Sequence, residues 1–249
     1  GIVFWFIYFL KNDRVKFNPQ IQSIYIVYAL FNYTLCYYLT YWGAQHVYSN
    51  LGSILYSLSP ITIAIMAHFF IPNDKLNQKK IISMIIGFIG TILLLYNGNS
   101  FGGEKVFLGI FSILLAIVIG SWPTIYIKKQ GIKVDSVHLN AVGLSVAGLI
   151  ILLMAFIFDK SSFSQINSNH IPSLLFLAIP GTVVTWGIYI WLLNHLPASQ
   201  LSYVAFFPPI IAIISGWIML DETLSLISLF GAALIILGGF LINYNLKNT

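Results

Sequence analysis

Charge is scarce in this chain. Of its 249 residues, 12 are Lys or Arg and 7 are Asp or Glu, 8% together, against 58% hydrophobic residues and a mean hydropathy of +0.88. A water-soluble domain covers its surface with about 25% charged residues, so an aqueous globule is excluded. The few acids (Asp13, Asp74, Glu104, Asp135, Asp159, Asp221 and Glu222) all avoid the middle of apolar runs, and so does every Lys and Arg. Charge buried in lipid marks proton relays and anion sites. Its lack argues against phosphate-bearing substrates, which fixed cations hold, and favours neutral, zwitterionic or amphipathic ones. Cysteine is nearly missing too. Cys36 stands alone, which excludes an intrachain disulfide and a thiolate metal site. His46, His138, His170 and His195 lie near loops without i, i+4 pairing, so no metal and no cofactor is expected. The net charge of +5 does not signal nucleic acid, because the positive residues sit at span ends, where they set topology. Gly1–Leu10 lacks the basic start and small-residue cleavage site of a signal peptide.

Long apolar runs are what the chain does have. They recur at about 21–41, 48–71, 80–97, 106–127, 138–158, 172–194, 199–220 and 226–246, after an opening run over 1–10. About 20 apolar residues cross the hydrocarbon core as a helix; barrel strands alternate and are half as long. With the loop 11–20 placed in the cytoplasm, the cytoplasmic side collects Lys11, Arg14, Lys16, Lys75, Lys79, Lys80, Lys128, Lys129, Lys133 and Lys247. Only Lys105 and Lys160 face the other way. That bias satisfies the positive-inside rule and puts the C-terminus in the cytoplasm.

Residues Pro60–Asn97 align without a gap on Pro208–Asn245 at an offset of 148, with 9 of 38 positions identical. The matches include Pro60/Pro208, Leu76/Leu224, Gly90/Gly238 and Asn97/Asn245, and Asp74 pairs with Glu222. Lys75, Lys79 and Lys80 become Thr223, Ile227 and Ser228. One unit used twice, with its positive charge removed from the second copy, predicts an inverted duplication. The expected fold is an all-α membrane protein, a multi-span bundle of two inverted five-helix repeats. The first repeat takes 1–97 (spans 2–5), a linker 98–105, and the second repeat 106–246 (spans 6–10). By the offset, the chain opens partway through span 2 of ten, roughly 43 residues into the first unit.

Four stretches resemble the EamA type of the drug/metabolite transporter superfamily. They are YSLSPITIAIMAHFFIPNDKL, FFPPIIAIISGWIMLDETLSLISLFGAALIILGGFLI, IPGTVVTWGIYIWLLNHLPAS and AIVIGSWPTIYIKK. The first two are similar to that family's span-four and span-nine signature: a proline, small residues, an acid-x-leucine turn and a glycine-spaced helix. Asp74 follows Ile-Pro-Asn where glycine-glutamate is usual, Ser83 stands where the second unit has Gly231, and Pro123 follows a tryptophan. The resemblance implies ten helices around a central cavity, alternating access, and a multi-pass protein of a bacterial inner or plasma membrane that exports small organic metabolites.

Aromatic and hydroxyl side chains are the remaining means of recognition. Tyr38 and Tyr41 lie three apart on one helix face, as do Trp186 and Tyr189, and Tyr41 pairs with Tyr189 by the offset. With Asn32, Ser57, Trp122, Tyr126 and Tyr203 they form the candidate substrate-binding set, since aromatic rings give contact area with a polar tip. Tyr and Trp also anchor membrane interfaces, so each of these also has a structural reading. Asp74 and Glu222 are read as caps of the helices that follow them, with a gate ion pair as the alternative. His68 is read as a helix-end histidine, with proton coupling as its alternative. The expected partners are a small-molecule substrate and the bilayer; a homodimer is left open. The other classes to weigh are an intramembrane enzyme, which needs a nucleophile and base at membrane depth, and a non-transporting scaffold.

Overall fold

The computed structural model describes residues 1–11, 19–95, 105–158, 167, 171–208, 210–211, 214 and 226–243. Among them, helix is the only repetitive structure, because a backbone in lipid satisfies its own polar groups that way. The elements are α1 (Ile2–Lys11), α2 (Pro19–Val27), α3 (Tyr37–Ala44), α4 (Ser49–Tyr56), α5 (Ser59–Phe70) and α6 (Gln78–Leu95). They continue with α7 (Val106–Gln130), α8 (Ser136–Phe158), α9 (Ile171–Ala178), α10 (Thr185–Leu193), α11 (Ala198–Leu201) and α12 (Leu226–Asn243). Among the described residues, four stretches have the length and apolarity to cross a membrane: Leu51–Phe70, Val106–Gln130, Ser136–Ile157 and Ile171–Leu193. The Glu222 turn and most of the stretch expected at 199–220 lie outside the described residues.

The spans are less regular than their hydropathy implies. The run expected at 48–71 is broken at Ser57–Leu58, and Pro60 stands in the first turn of α5, where its missing N–H leaves nothing unpaired. The Ser57 hydroxyl donates to the Ile54 carbonyl at 2.6 Å. Ahead of Pro208, α11 tightens into a 3-10 turn over Ser202–Phe206. Two other spans widen into π-helix, Tyr28–Cys36 between α2 and α3 and Ile179–Val184 between α9 and α10. In each, a threonine hydroxyl donates to the carbonyl five residues back: Thr34 to Ala29 at 2.7 Å, Thr182 to Leu177 at 2.8 Å. Thr34 and Thr182 are 148 positions apart.

The residues divide into two compact units, one of Gly1–Leu35 with Gln130–Leu196, the other of Cys36–Lys129 with Pro197–Thr249. In the first, α1 packs on α8, and the Trp5 indole N–H donates to the Ser145 hydroxyl at 3.1 Å. Asp135 caps α8 by accepting the His138 N–H at 2.7 Å. The Asn194 side chain bonds both the carbonyl and the N–H of Val134, at 2.8 and 3.2 Å.

In the second unit α6 and α12 run antiparallel with backbones nearly touching. A Cβ on Gly231 would lie 2.6 Å from the Gly90 carbonyl oxygen and from the Leu94 nitrogen. A Cβ on Gly238 would lie 2.8 Å from the Ser83 carbonyl. Positions 83 and 231, and 90 and 238, are each 148 apart, so each contact is the image of the other under the repeat offset. Small residues make this approach possible, and van der Waals contact drives helix association in lipid. Buried Met84, Leu94, Tyr203, Phe206, Ile235 and Ile242 pack beside it.

Gly231→Ala forces a methyl into that backbone contact and is expected to destabilise the fold by about 1–3 kcal/mol, read as a lower thermal unfolding midpoint in detergent. Gly148→Ala, whose Cβ meets nothing within 4 Å, leaves the midpoint unchanged or slightly higher.

Candidate functional site

Helix irregularity and polar side chains coincide in the second unit. There a cavity of about 540 Å³ is lined by residues of α3, α4, the turn between them, α7 and the segment 205–208. Ala44, Val47, Gly52, Ile113, Ala205 and Pro208 form apolar walls; Thr40, Tyr48, Ser53 and Tyr56 bring hydroxyls to it. Among the described residues, no Asp, Glu, Lys, Arg or His lines it. Thr40 and Tyr56 hydrogen-bond to each other through their hydroxyls, and the Thr40 hydroxyl also reaches the Cys36 carbonyl at 2.7 Å. An uncharged, largely apolar cavity with a few hydroxyls fits a neutral or amphipathic solute.

The candidate residues fall into distinct environments. Ser57 is buried in the α4–α5 break. Tyr38 and Tyr41 are exposed, 49% and 60%, and Tyr41 sets its ring edge against Tyr37. Trp122 is half-buried, its ring perpendicular to that of Phe70 at 5.3 Å, and Tyr126 is half-buried one turn further along α7. Tyr203 is buried; its hydroxyl donates to the Ile235 carbonyl at 2.8 Å, and its ring packs on Phe206. Tyr203 therefore serves the α6–α12 core in this structure.

Asn32, Trp186 and Tyr189 belong to the first unit, where the Trp186 and Tyr189 rings meet. Asn32 is buried within the π-helical stretch. The Trp186 ring stands perpendicular to Tyr33 at 5.0 Å and near-perpendicular to Tyr189 at 5.3 Å. Tyr33 donates to the Asn140 side-chain oxygen at 2.5 Å, and the Asn140 amide donates to the Ser136 and Trp186 carbonyls. Tyr33 and Asn140 were not among the candidates; their pairing across 107 residues has no local signal. A Trp-x-x-x-His pair at 42–46 and again at 191–195 is readable in the sequence and was also missed. In each the rings are 4.5 Å apart and the imidazole Nδ1 donates to the Trp carbonyl, at 2.9 and 2.8 Å.

Asp74 differs from its expected capping role. The cap of α6 is Asn77, whose side-chain oxygen accepts the Lys80 N–H at 2.8 Å. Asp74 instead is 3% exposed and reaches a distant helix. One carboxylate oxygen accepts the Ser199 N–H at 3.0 Å; the other accepts the Ser199 hydroxyl and pairs with the Lys80 ammonium at 2.6 Å. Pro197, the residue before α11, offers no capping side chain, so Asp74 caps α11 from elsewhere in the fold. Burial alone pushes its carboxyl up, but Lys80 and the two Ser199 bonds outweigh that and hold it below the usual carboxylate range. His68 belongs to the same end of α5: its Nδ1 accepts the Leu76 N–H at 3.1 Å, and its carbonyl accepts the Lys75 ammonium at 2.6 Å. The Glu222 capping expectation falls outside the described residues. Among the described residues no group of three or more His, Cys, Asp or Glu is placed to hold a metal ion.

Fold and cavity together define a multi-span helical membrane protein with a solute-sized, uncharged recess. The model of the EamA-like transporter family matches residues 1–96 and 107–244, and the chain belongs to that family. The uncharacterized transporter YvbV of Bacillus subtilis is 30% identical over 224 residues, 90% of this chain and 72% of its own. The uncharacterized transporter YoaV of the same organism is 25% identical, with 97% and 82% covered. A WAT1-related chloroplastic protein of Arabidopsis thaliana is 26% identical over 81% of this chain and 50% of its own. One protein crystal structure matches with a TM-score of 0.78 at 17% identity, covering 97% of this chain and 83% of that one; it shares the fold. The family and both Bacillus subtilis relatives carry the names of transporters rather than enzymes.

Asp74→Asn leaves Lys80 without its buried partner and is expected to destabilise the protein by about 3–5 kcal/mol at pH 7. The native carboxyl is depressed, so its contribution is complete above the ordinary carboxylate range and disappears as pH falls through the native value. Unfolding midpoints of native and variant protein therefore converge only in acid, below about pH 4.

Proposed function

We propose that this membrane transporter is a secondary carrier, and an exporter, of small neutral, zwitterionic or amphipathic organic solutes. The observation that carries the reading is the cavity beside α4: about 540 Å³, apolar-walled, edged by Thr40, Ser53 and Tyr56, with no charged side chain among the described residues that line it. A phosphorylated solute finds no fixed cation there. Trp186 and Tyr189, beside the π-helical stretch Ile179–Val184, are assigned to the pathway with Asn32 because aromatic contact and a polar tip suit reversible capture.

Alternating access by two inverted repeats is the mechanism we infer. Three features support it: one family model takes up two successive segments, the antiparallel α6–α12 contacts exchange under the 148-residue offset, and the paired threonines sit at the same offset in both π-helical stretches. The lysine bias supports a bacterial inner-membrane orientation with the Asp74 turn and C-terminus in the cytoplasm.

The test is flux into proteoliposomes over a panel of amino acids, nucleobases, aromatic cations and sugar phosphates. Neutral or zwitterionic members are expected to move and sugar phosphates to stay out. Tyr56→Ala and Thr40→Val should each lower flux about tenfold, the rate equivalent of losing about 1.4 kcal/mol of selective contact. Uptake of the phosphates, or flux unchanged in both variants, contradicts this assignment.

A further inference from the structure

We infer that the Asp74 carboxylate is a latch: its contacts with Ser199 and Lys80 hold one end of the transport pathway shut, and they break once in each cycle. The inference rests on the transporter reading, but its test does not need the substrate.

The geometry joins two interrupted helices. Asp74 follows α5, whose predecessor α4 ends at the Ser57–Leu58 break; Ser199 lies in the first turn of α11, which gives way to a 3-10 turn at Ser202. Each partner is thus mounted on a short segment with a joint behind it, and such joints absorb rigid-body rotation. Beneath the latch, Ile63, Ala67, Ile71, Ile125 and Ala198 form a buried apolar plug. The cavity lined by Thr40, Tyr56 and Pro208 belongs to the same compact unit. The Asp74 end of that unit is packed with buried side chains.

The chemistry favours a reversible contact over a permanent one. A static junction gains more from well-packed apolar residues than from a buried ion pair. Here every bond has a ready exchange partner in water: a carboxylate, an ammonium, a hydroxyl and the Ser199 N–H. Release leaves that N–H uncapped, because Pro197 supplies no cap, so opening demands water and proceeds toward the aqueous side. A further sign is at Gln200, whose side-chain oxygen is buried with no hydrogen-bond partner among the described residues. A buried acceptor left unpaired is unfavourable, and it is relieved when α11 moves and water enters. The closed state thus carries both a clasp and a bias to open it.

The experiment reads accessibility of the plug. In a Cys36→Ser background, Ile71→Cys is exposed to a membrane-impermeant maleimide in right-side-out and inside-out vesicles. With Asp74 and Ser199 intact, labelling is expected to be slow from the lysine-rich side. Ser199→Ala, which keeps the Ser199 N–H contact and the ion pair, should raise the rate severalfold, and Asp74→Asn at least tenfold, while Ile2→Ala at an exposed site leaves it unchanged. Size-exclusion profiles of the purified variants establish that they are folded; Ser199→Ala decides the matter if Asp74→Asn is not. Rates unchanged in every folded latch variant overturn the latch, whether or not a solute is transported. Faster labelling with no transported solute in the panel sustains the latch and counts against the carrier assignment instead.

Discussion

A polar group inside a bilayer has to find its partner within the protein, and that constraint shapes everything described here. Lipid offers no water to an unpaired N–H or carbonyl. Where a helix is regular, its own ladder meets the demand. Where it is broken, widened or begun on a proline, a nearby hydroxyl or carboxylate takes over: Ser57 at the α4–α5 break, Thr34 and Thr182 in the π-helical stretches, Asp74 at the start of α11. These are the places where the backbone departs from a regular helix.

The same constraint explains the division of labour among small and large side chains. Lipid provides little hydrophobic drive for one apolar helix to join another, so association depends on close fit. Gly90, Gly231 and Gly238 bring the backbones of α6 and α12 within touching distance. Tyr203 fills the space beside them, and its hydroxyl donates to the Ile235 carbonyl. Elsewhere α3 and α4 leave room, and the hydroxyls of Thr40 and Tyr56 meet at the edge of a cavity instead of in a core. One membrane protein thus holds a tight glycine seam and a solute-sized recess in the same compact unit.

Much of the architecture could be read from the sequence, because length and apolarity dictate spanning helices and a glycine at the same place in two copies dictates close packing. The interruptions were harder. Pro60 lies in the first turn of α5, but the break falls ahead of it at Ser57–Leu58, where no residue announces it. The π-helical stretches carry threonines that are unremarked until their i−5 bonds are visible. Site residues were the least legible. Tyr38, Tyr41, Trp122 and Tyr203 share composition and spacing with Trp186 and Tyr189, yet burial and partners separate them, and those depend on tertiary contacts. Asp74 shows the limit most clearly. A carboxylate a few residues before a helix is read as a cap, and it is one, but of a helix 125 residues away.

The account stands on two copies of one helical unit running in opposite directions through the bilayer. Single cysteines placed at Lys75 and at Thr223, equivalent positions after the two acidic turns, test it most directly when labelled with an impermeant reagent on each face of oriented vesicles. The account predicts that Lys75→Cys reacts from the cytoplasmic face and Thr223→Cys from the opposite one. Reaction of both from a common face would contradict it.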